Sequence, residues 1–96
     1  MVGGLKIIQV KLGFEQAFEK LFTELRSEMW EHESGCLLFS LLKSHSNPSL
    51  YTVQEQYKDA EALQAHNVSE HVGRYAPKLR ELMDSVEEEI FDVVVE

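Results

Sequence analysis

Residues 36–57 read CLLFSLLKSHSNPSLYTVQEQY. Two short apolar runs flank a cluster of turn formers, Ser44-His45-Ser46-Asn47-Pro48-Ser49. The first run, Cys36 to Ser44, is too apolar and too short for a surface helix and reads as a strand. The second, Leu50 to Tyr57, alternates with period two and puts Tyr51, Val53, Glu55 and Tyr57 on one face. An antiparallel hairpin is expected.

Upstream of the hairpin the period changes. Phe14, Phe18, Leu21, Phe22, Leu25 and Met29 fall at helical spacing, with Glu15, Glu19, Lys20, Glu24 and Ser27 mostly off that stripe. Ser34-Gly35 ends the helix, with Gly35 placed for a left-handed cap. Before it, Leu5 to Leu12 reads as a strand ending at Gly13, with Leu5 and Ile7 on one face and Ile8, Val10 and Leu12 on the other. Downstream, Asp59 is placed to cap a short helix reaching about His66. A second helical stretch is expected from about Ser69 to Met83, with Val72, Tyr75, Leu79, Leu82 and Met83 inward and a break near Ala76 imposed by Pro77. Val86 to Val95 reads as a last strand. The order β, α, β, β, α, β over a single domain, residues 1–96, is the split βαβ pattern. It predicts an α+β ferredoxin-like βαββαβ sandwich, a four-stranded antiparallel sheet with its helices on one face.

Helices on one face leave the other open. Yet the first and last strands are apolar on both sides, the last with Ile90 and Val94 against Phe91, Val93 and Val95. An open apolar sheet face is an association patch, so a homodimer is expected. The formal charge is −8, and beyond Arg80 the only charged residues are acidic, which excludes a polyanion-binding role and any nucleic-acid partner. No apolar run approaches the ~18 residues a membrane span needs, and the amino terminus shows no signal-peptide pattern. A cytoplasmic protein is the expectation. The lone Cys36 makes no internal disulfide and is read as a small core residue.

Among residues able to do chemistry, no HExxH or CxxC motif occurs. His66 and His71 are five apart, not the four that places two ligands on one helix face, so no metal site is expected. His32 and His45 read as surface residues, and His71 offers the same two readings as His66, more weakly, with a solvated position beside Glu70 also open. His66 reads either as a packed, hydrogen-bonded histidine or as a pocket-lining base. Glu55, if it faces inward, needs a charged partner. Trp30, beside the helix-one stripe, is expected to pack against the helix. Spacing alone goes no further than a dimeric sandwich with a pocket lined by Tyr and His.

Four motifs in order carry a resemblance. Glu33-Ser34-Gly35-Cys36-Leu37 resembles the E-P-G-C-L turn of the antibiotic biosynthesis monooxygenase family. Asn47-Pro48 with Leu50-Tyr51 resembles its hairpin, and the run from Glu55 to His66 resembles its E-x-W-x-S-x-E-A-L-x-x-H. Glu70-His71 is similar to the P-H that follows. The likeness covers about residues 5 to 95. It implies a dimeric ferredoxin-like fold with a pocket between helices and sheet. It also implies, for some members, oxygenation of a small aromatic phenol or quinol with no metal, flavin or other cofactor. His66 would be the first candidate base and His71 the second. Tyr57 and Tyr51 would be donors or stacking walls, with Glu55, Gln9, Tyr75 and Trp30 completing the candidate substrate contacts. Tyr57 stands where many members have Trp, and Gln9 where some have Asn. The haem-degrading branch has Trp about where His66 sits, which points away from that activity. Tyr57 and the histidines also suit a branch that isomerises a phosphorylated autoinducer-2-type sugar. A non-catalytic dimeric binding module is the third reading.

Overall fold

The computed structural model describes residues 1–96. Its elements are β1 (Val2–Val10), α1 (Glu15–His32), β2 (Cys36–Lys43), β3 (Leu50–Tyr57), α2 (Ala60–Asn67), α3 (Glu70–Glu81) and β4 (Met83–Asp92). The sheet order is β2-β3-β1-β4 with every neighbouring pair antiparallel, the ferredoxin-like α+β architecture. No helix is long and apolar enough to cross a membrane.

Alternation sorts the sheet into two faces. Ile8 and Val10 of β1, Phe39 of β2, and Tyr51, Val53, Glu55 and Tyr57 of β3 are buried toward the helices. α1 lays Phe18, Phe22, Leu25 and Met29 on them, all 7% exposed or less, so the helical stripe closes the core that the sheet face opens. Phe14, the first residue of the predicted stripe, instead sits at the helix N-cap position and is half exposed. The opposite sheet face carries Leu5, Ile7, Leu38, Leu42 and Phe91; Ile7 (44%), Leu42 (46%) and Phe91 (50%) are exposed.

Four local expectations are corrected. The sole positive φ belongs to Gly13 (93°), so Gly35 is no left-handed cap. Gly35 is small for another reason: a Cβ there would lie 2.6 Å from that of Ala62, where α2 docks on the approach to β2. α3 runs unbroken through Pro77. Its packing against α1 through Val72, Tyr75 and Leu79 outweighs a cost of ~3 kcal/mol for an interior proline. β4 begins at Met83 rather than Val86, because Lys11 N–H takes the Leu82 carbonyl (2.8 Å) and Met83 pairs with Val10. It stops at Asp92 because β1, its only neighbour, has run out: Val93 N–H still reaches the Met1 carbonyl (3.0 Å), and Val94 and Val95 have nothing to pair with. β1 itself reaches back to Val2, its Gly3 and Gly4 paired on both sides.

Candidate functional site

Three helix ends meet at one place. Glu33 is the residue on which α1 stops, its N–H donating to the Met29 carbonyl (2.9 Å). His66 lies in the last turn of α2, which starts where the Asp59 carboxylate accepts from Ala62 N–H (2.8 Å). His71 lies in the first turn of α3, whose start is fixed by Ser69: its Oγ accepts from Val72 N–H and donates to the His66 carbonyl (2.7 Å). Ser69 therefore locks the two histidine-bearing helices at a fixed angle to one another.

The Glu33 carboxylate sits between the two imidazoles. His66 Nδ1 is 3.0 Å from both carboxylate oxygens, and His71 Nε2 is hydrogen-bonded to Oε2. The three side chains are 7–8% exposed, and no Lys or Arg pairs with Glu33. A carboxylate only accepts, so each facing nitrogen carries a proton. Neutral His66 is then the Nδ1–H tautomer, with its lone pair on Nε2. That nitrogen makes no hydrogen bond and is not sealed from solvent. His66 belongs to the wall of an inner cavity of about 330 Å³ between the helices and the sheet, with Ile8, Phe18, Leu25, Phe39, Val53 and Leu79 among its apolar lining. Glu33 and His71 line a second, outer cavity of about 330 Å³ with Cys36 and Asp59. The triad bridges the two. Burial first, and then the Glu33 charge, push the Cys36 thiol upward, which leaves it a poor nucleophile.

Tyr57 packs its ring 5.3 Å from that of His66, and Phe39 5.8 Å. The Tyr57 hydroxyl, however, donates to Glu55 (3.1 Å). Burial, and next the Glu55 charge, raise the phenol well above its usual range. Glu55 does face inward, 3% exposed, and pairs with Lys6 (2.6 Å), which with Arg80 and Glu88 gives the inner cavity its polar groups. Gly4 makes this possible: a Cβ there would fall 2.8 Å from Glu55 Cγ.

The remaining candidates lie elsewhere. Gln9 is on the open sheet face, where Nε2 donates to the Ser49 carbonyl (3.2 Å) and Oε1 accepts from Asn47 (3.2 Å), so its amide is spent on the hairpin loop. Tyr51 donates to Glu19, and Tyr75 to Glu24 (3.3 Å), each holding a strand or helix to α1. Trp30 does not pack as expected; it is 78% exposed, carries Arg26 over its ring, and lines with Tyr51 a groove between α1 and β2. His71, for which the sequence leaves a solvated position open, is 6% exposed. Spacing missed Glu33. Its signal is the first letter of the Glu33-Ser34-Gly35-Cys36-Leu37 motif, which by sequence reads as a turn alone.

The model of one family, antibiotic biosynthesis monooxygenase, matches residues 1–78. The chain belongs to the antibiotic biosynthesis monooxygenase family. A conserved protein from Methanosarcina mazei Go1 is similar at 30% identity, with a TM-score of 0.88 over 94% of this chain and 89% of that one. A Caulobacter crescentus CB15 protein, named as a candidate antibiotic biosynthesis monooxygenase, is 26% identical, with a TM-score of 0.92 over 99% and 90%. A third solved structure, titled antibiotic biosynthesis monooxygenase, is 23% identical, with a TM-score of 0.87 over 99% and 100%, and shows the shared fold. No curated protein matches the chain. Membership of the antibiotic biosynthesis monooxygenase family supports a monooxygenase-like or small-molecule-binding role. The matched stretch contains Glu33, Tyr57, His66 and His71, while Arg80 and β4 lie beyond it.

Proposed function

We propose that this protein is a cofactor-independent monooxygenase of a small aromatic phenol or quinol, working as a homodimer. The observation that carries the reading is His66: it lines a largely apolar cavity, with one ring nitrogen fixed by a buried carboxylate and the other unpartnered. Glu33 selects the tautomer and supports the imidazolium that forms when Nε2 takes the substrate hydroxyl proton. Arg80, which lines the cavity and forms no ion pair, offsets the charge of the resulting phenolate. The electron-rich anion reduces O₂, the two join as a ring-carbon peroxide, and the proton held on His66 returns to it. Loss of water then leaves a quinone: one oxygen atom stays on the ring carbon and the other departs. Tyr57 and His71 are positioning residues in this scheme, one a wall against the His66 ring, the other the second donor to Glu33. The half-exposed Ile7, Leu42 and Phe91 favour face-to-face pairing of two sheets.

Oxygen uptake against a panel of quinols and naphthols tests the reaction. His66→Ala should lower kcat by about 10²-fold with the fold intact, and His71→Ala by less. Full turnover by His66→Ala sinks the assignment of the base. A second reading, isomerisation of a phosphorylated autoinducer-2-type sugar, is favoured by Arg80, which lines the cavity and forms no ion pair. Inactivity on every quinol, with sugar-phosphate binding abolished by Arg80→Gln, would select it.

A further inference from the structure

We infer that Glu33, His66 and His71 form a binding site for a divalent transition-metal ion of the zinc type. Nothing in the spacing of the two histidines suggested it, because they lie on two helices rather than one face of a single helix. The ligand atoms, His66 Nδ1, His71 Nε2 and a Glu33 oxygen, all lie within 4.8 Å of one another. Four-coordinate zinc, with bonds of about 2.0–2.2 Å to N and O, needs ligand atoms roughly 3.3 Å apart, so only small side-chain movements are required. The elements that carry them are already locked: Ser69 ties α2 to α3, and Glu33 is where α1 ends.

Two further observations point to a cation. The Glu33 carboxylate is buried to 8% exposure and has no Lys or Arg beside it, so the only groups opposing its charge are two imidazoles. The outer cavity leads to it from solvent, past Asp59 and Glu61, which outnumber the one cation on that wall, Lys58, and favour an arriving cation. Two imidazole nitrogens and one carboxylate oxygen select zinc, cobalt or nickel over magnesium and calcium, which prefer oxygen alone. A fourth position is open to water. Metal binding asks each imidazole to move its proton to the far nitrogen; His66 Nε2 and His71 Nδ1 are both without partners and can take it. His66 would then present an N–H, not a lone pair, to the inner cavity. On the oxygenase reading above, the metal-bound form is therefore the silent one.

The test uses tag-free, chelator-stripped full-length protein. Cobalt(II) titration should give visible d–d bands of tetrahedral intensity that saturate at one ion per chain and are bleached by zinc, with excess magnesium without effect. Glu33→Gln should weaken binding by about 10²-fold. His71→Cys should keep the ion and add a thiolate-to-cobalt charge-transfer band. His32→Ala, which removes the exposed Glu28–Glu31–His32 cluster, should leave the titration unchanged. In the wild type, zinc should shift the ring resonances of His66 and His71 and leave His45 in place, a readout that needs no variant to fold. No saturable cobalt binding, or binding lost with His32→Ala and kept in Glu33→Gln, overturns the site. None of these readouts uses turnover, so failure of the oxygenase assay leaves them intact.

Discussion

Replacing Glu33 by Ala removes the acceptor shared by two buried imidazoles. Each hydrogen bond to the carboxylate is charge-assisted, worth about 1.5–3 kcal/mol. The side chains are 7–8% exposed, so solvent screening is slight, but the outer cavity would let water reach the freed His71 and recover part of the loss. About 3 kcal/mol of destabilisation is expected, near the sum of the lower bounds. Glu33→Gln should cost about 1–2 kcal/mol, because the amide can accept from one ring and donate to the other, whose lone pair must then turn toward it. Glu31→Ala, a neighbour with a side chain 73% exposed, should stay within about 0.5 kcal/mol. Urea unfolding at neutral pH with chelator present reads all three through the midpoint and slope. Imidazole ¹⁵N shifts should show one histidine changing tautomer in Glu33→Gln. A loss below 1 kcal/mol for Glu33→Ala, or no tautomer change, would mean that the carboxylate does not hold the two rings, and the reading of His66 as an oriented base would fall with it.

Phe22 is 7% exposed, stacks on Phe39 at 5.2 Å, and with it separates the α1–β2 groove from the inner cavity; Phe22→Ala should cost roughly 3–5 kcal/mol in urea unfolding, and a loss under 1 kcal/mol would contradict that packing. The Tyr51 hydroxyl, ahead of Lys43, holds the Glu19 carboxyl below its ordinary value. A lowered folded pKa gives stability that is present above the unfolded value and lost as pH falls through the folded one, so acid unfolding of Tyr51→Phe should be less steep below the usual glutamate range than that of wild type, and parallel curves would refute the contact. Sedimentation equilibrium at micromolar concentration should return twice the chain mass, and Ile7→Asp on the open sheet face should give a folded monomer; a monomeric wild type would end the sheet-to-sheet model.

The hairpin was legible because period two and period 3.6 cannot be confused over its flanks, and β3 fell at Leu50–Tyr57 as read. The strand ends were not, since they depend on partners. β4 starts where Val10 offers a pairing residue and stops where β1 has none left, and neither fact is local to Met83 or Asp92. Pro77 misled for a similar reason: its local cost was readable, the packing of α3 on α1 was not. At the site, helix position alone left His66 between a packed and a pocket-lining residue, and it was the resemblance that pointed to His66 and Tyr57. Glu33 could not be singled out, because its role exists only once α2 and α3 fold back over the end of α1. Gln9 and Tyr75 carried the right chemistry but spend it on a loop and a helix seam.

β4 is an edge strand, and five of its ten residues are acidic: Asp84, Glu87, Glu88, Glu89 and Asp92. An open edge offers unpaired backbone groups to any second strand, including its own copy, and the outcome of unchecked pairing is a growing cross-β ladder. Here two copies meeting edge to edge would set rows of carboxylates against one another at strand spacing. The repulsion opposes β4-to-β4 pairing at neutral pH, whereas β2, the other edge of the sheet, carries no acidic residue. The acidic strand thus acts as an ionic gatekeeper along its own edge, a guard that protonation would lift.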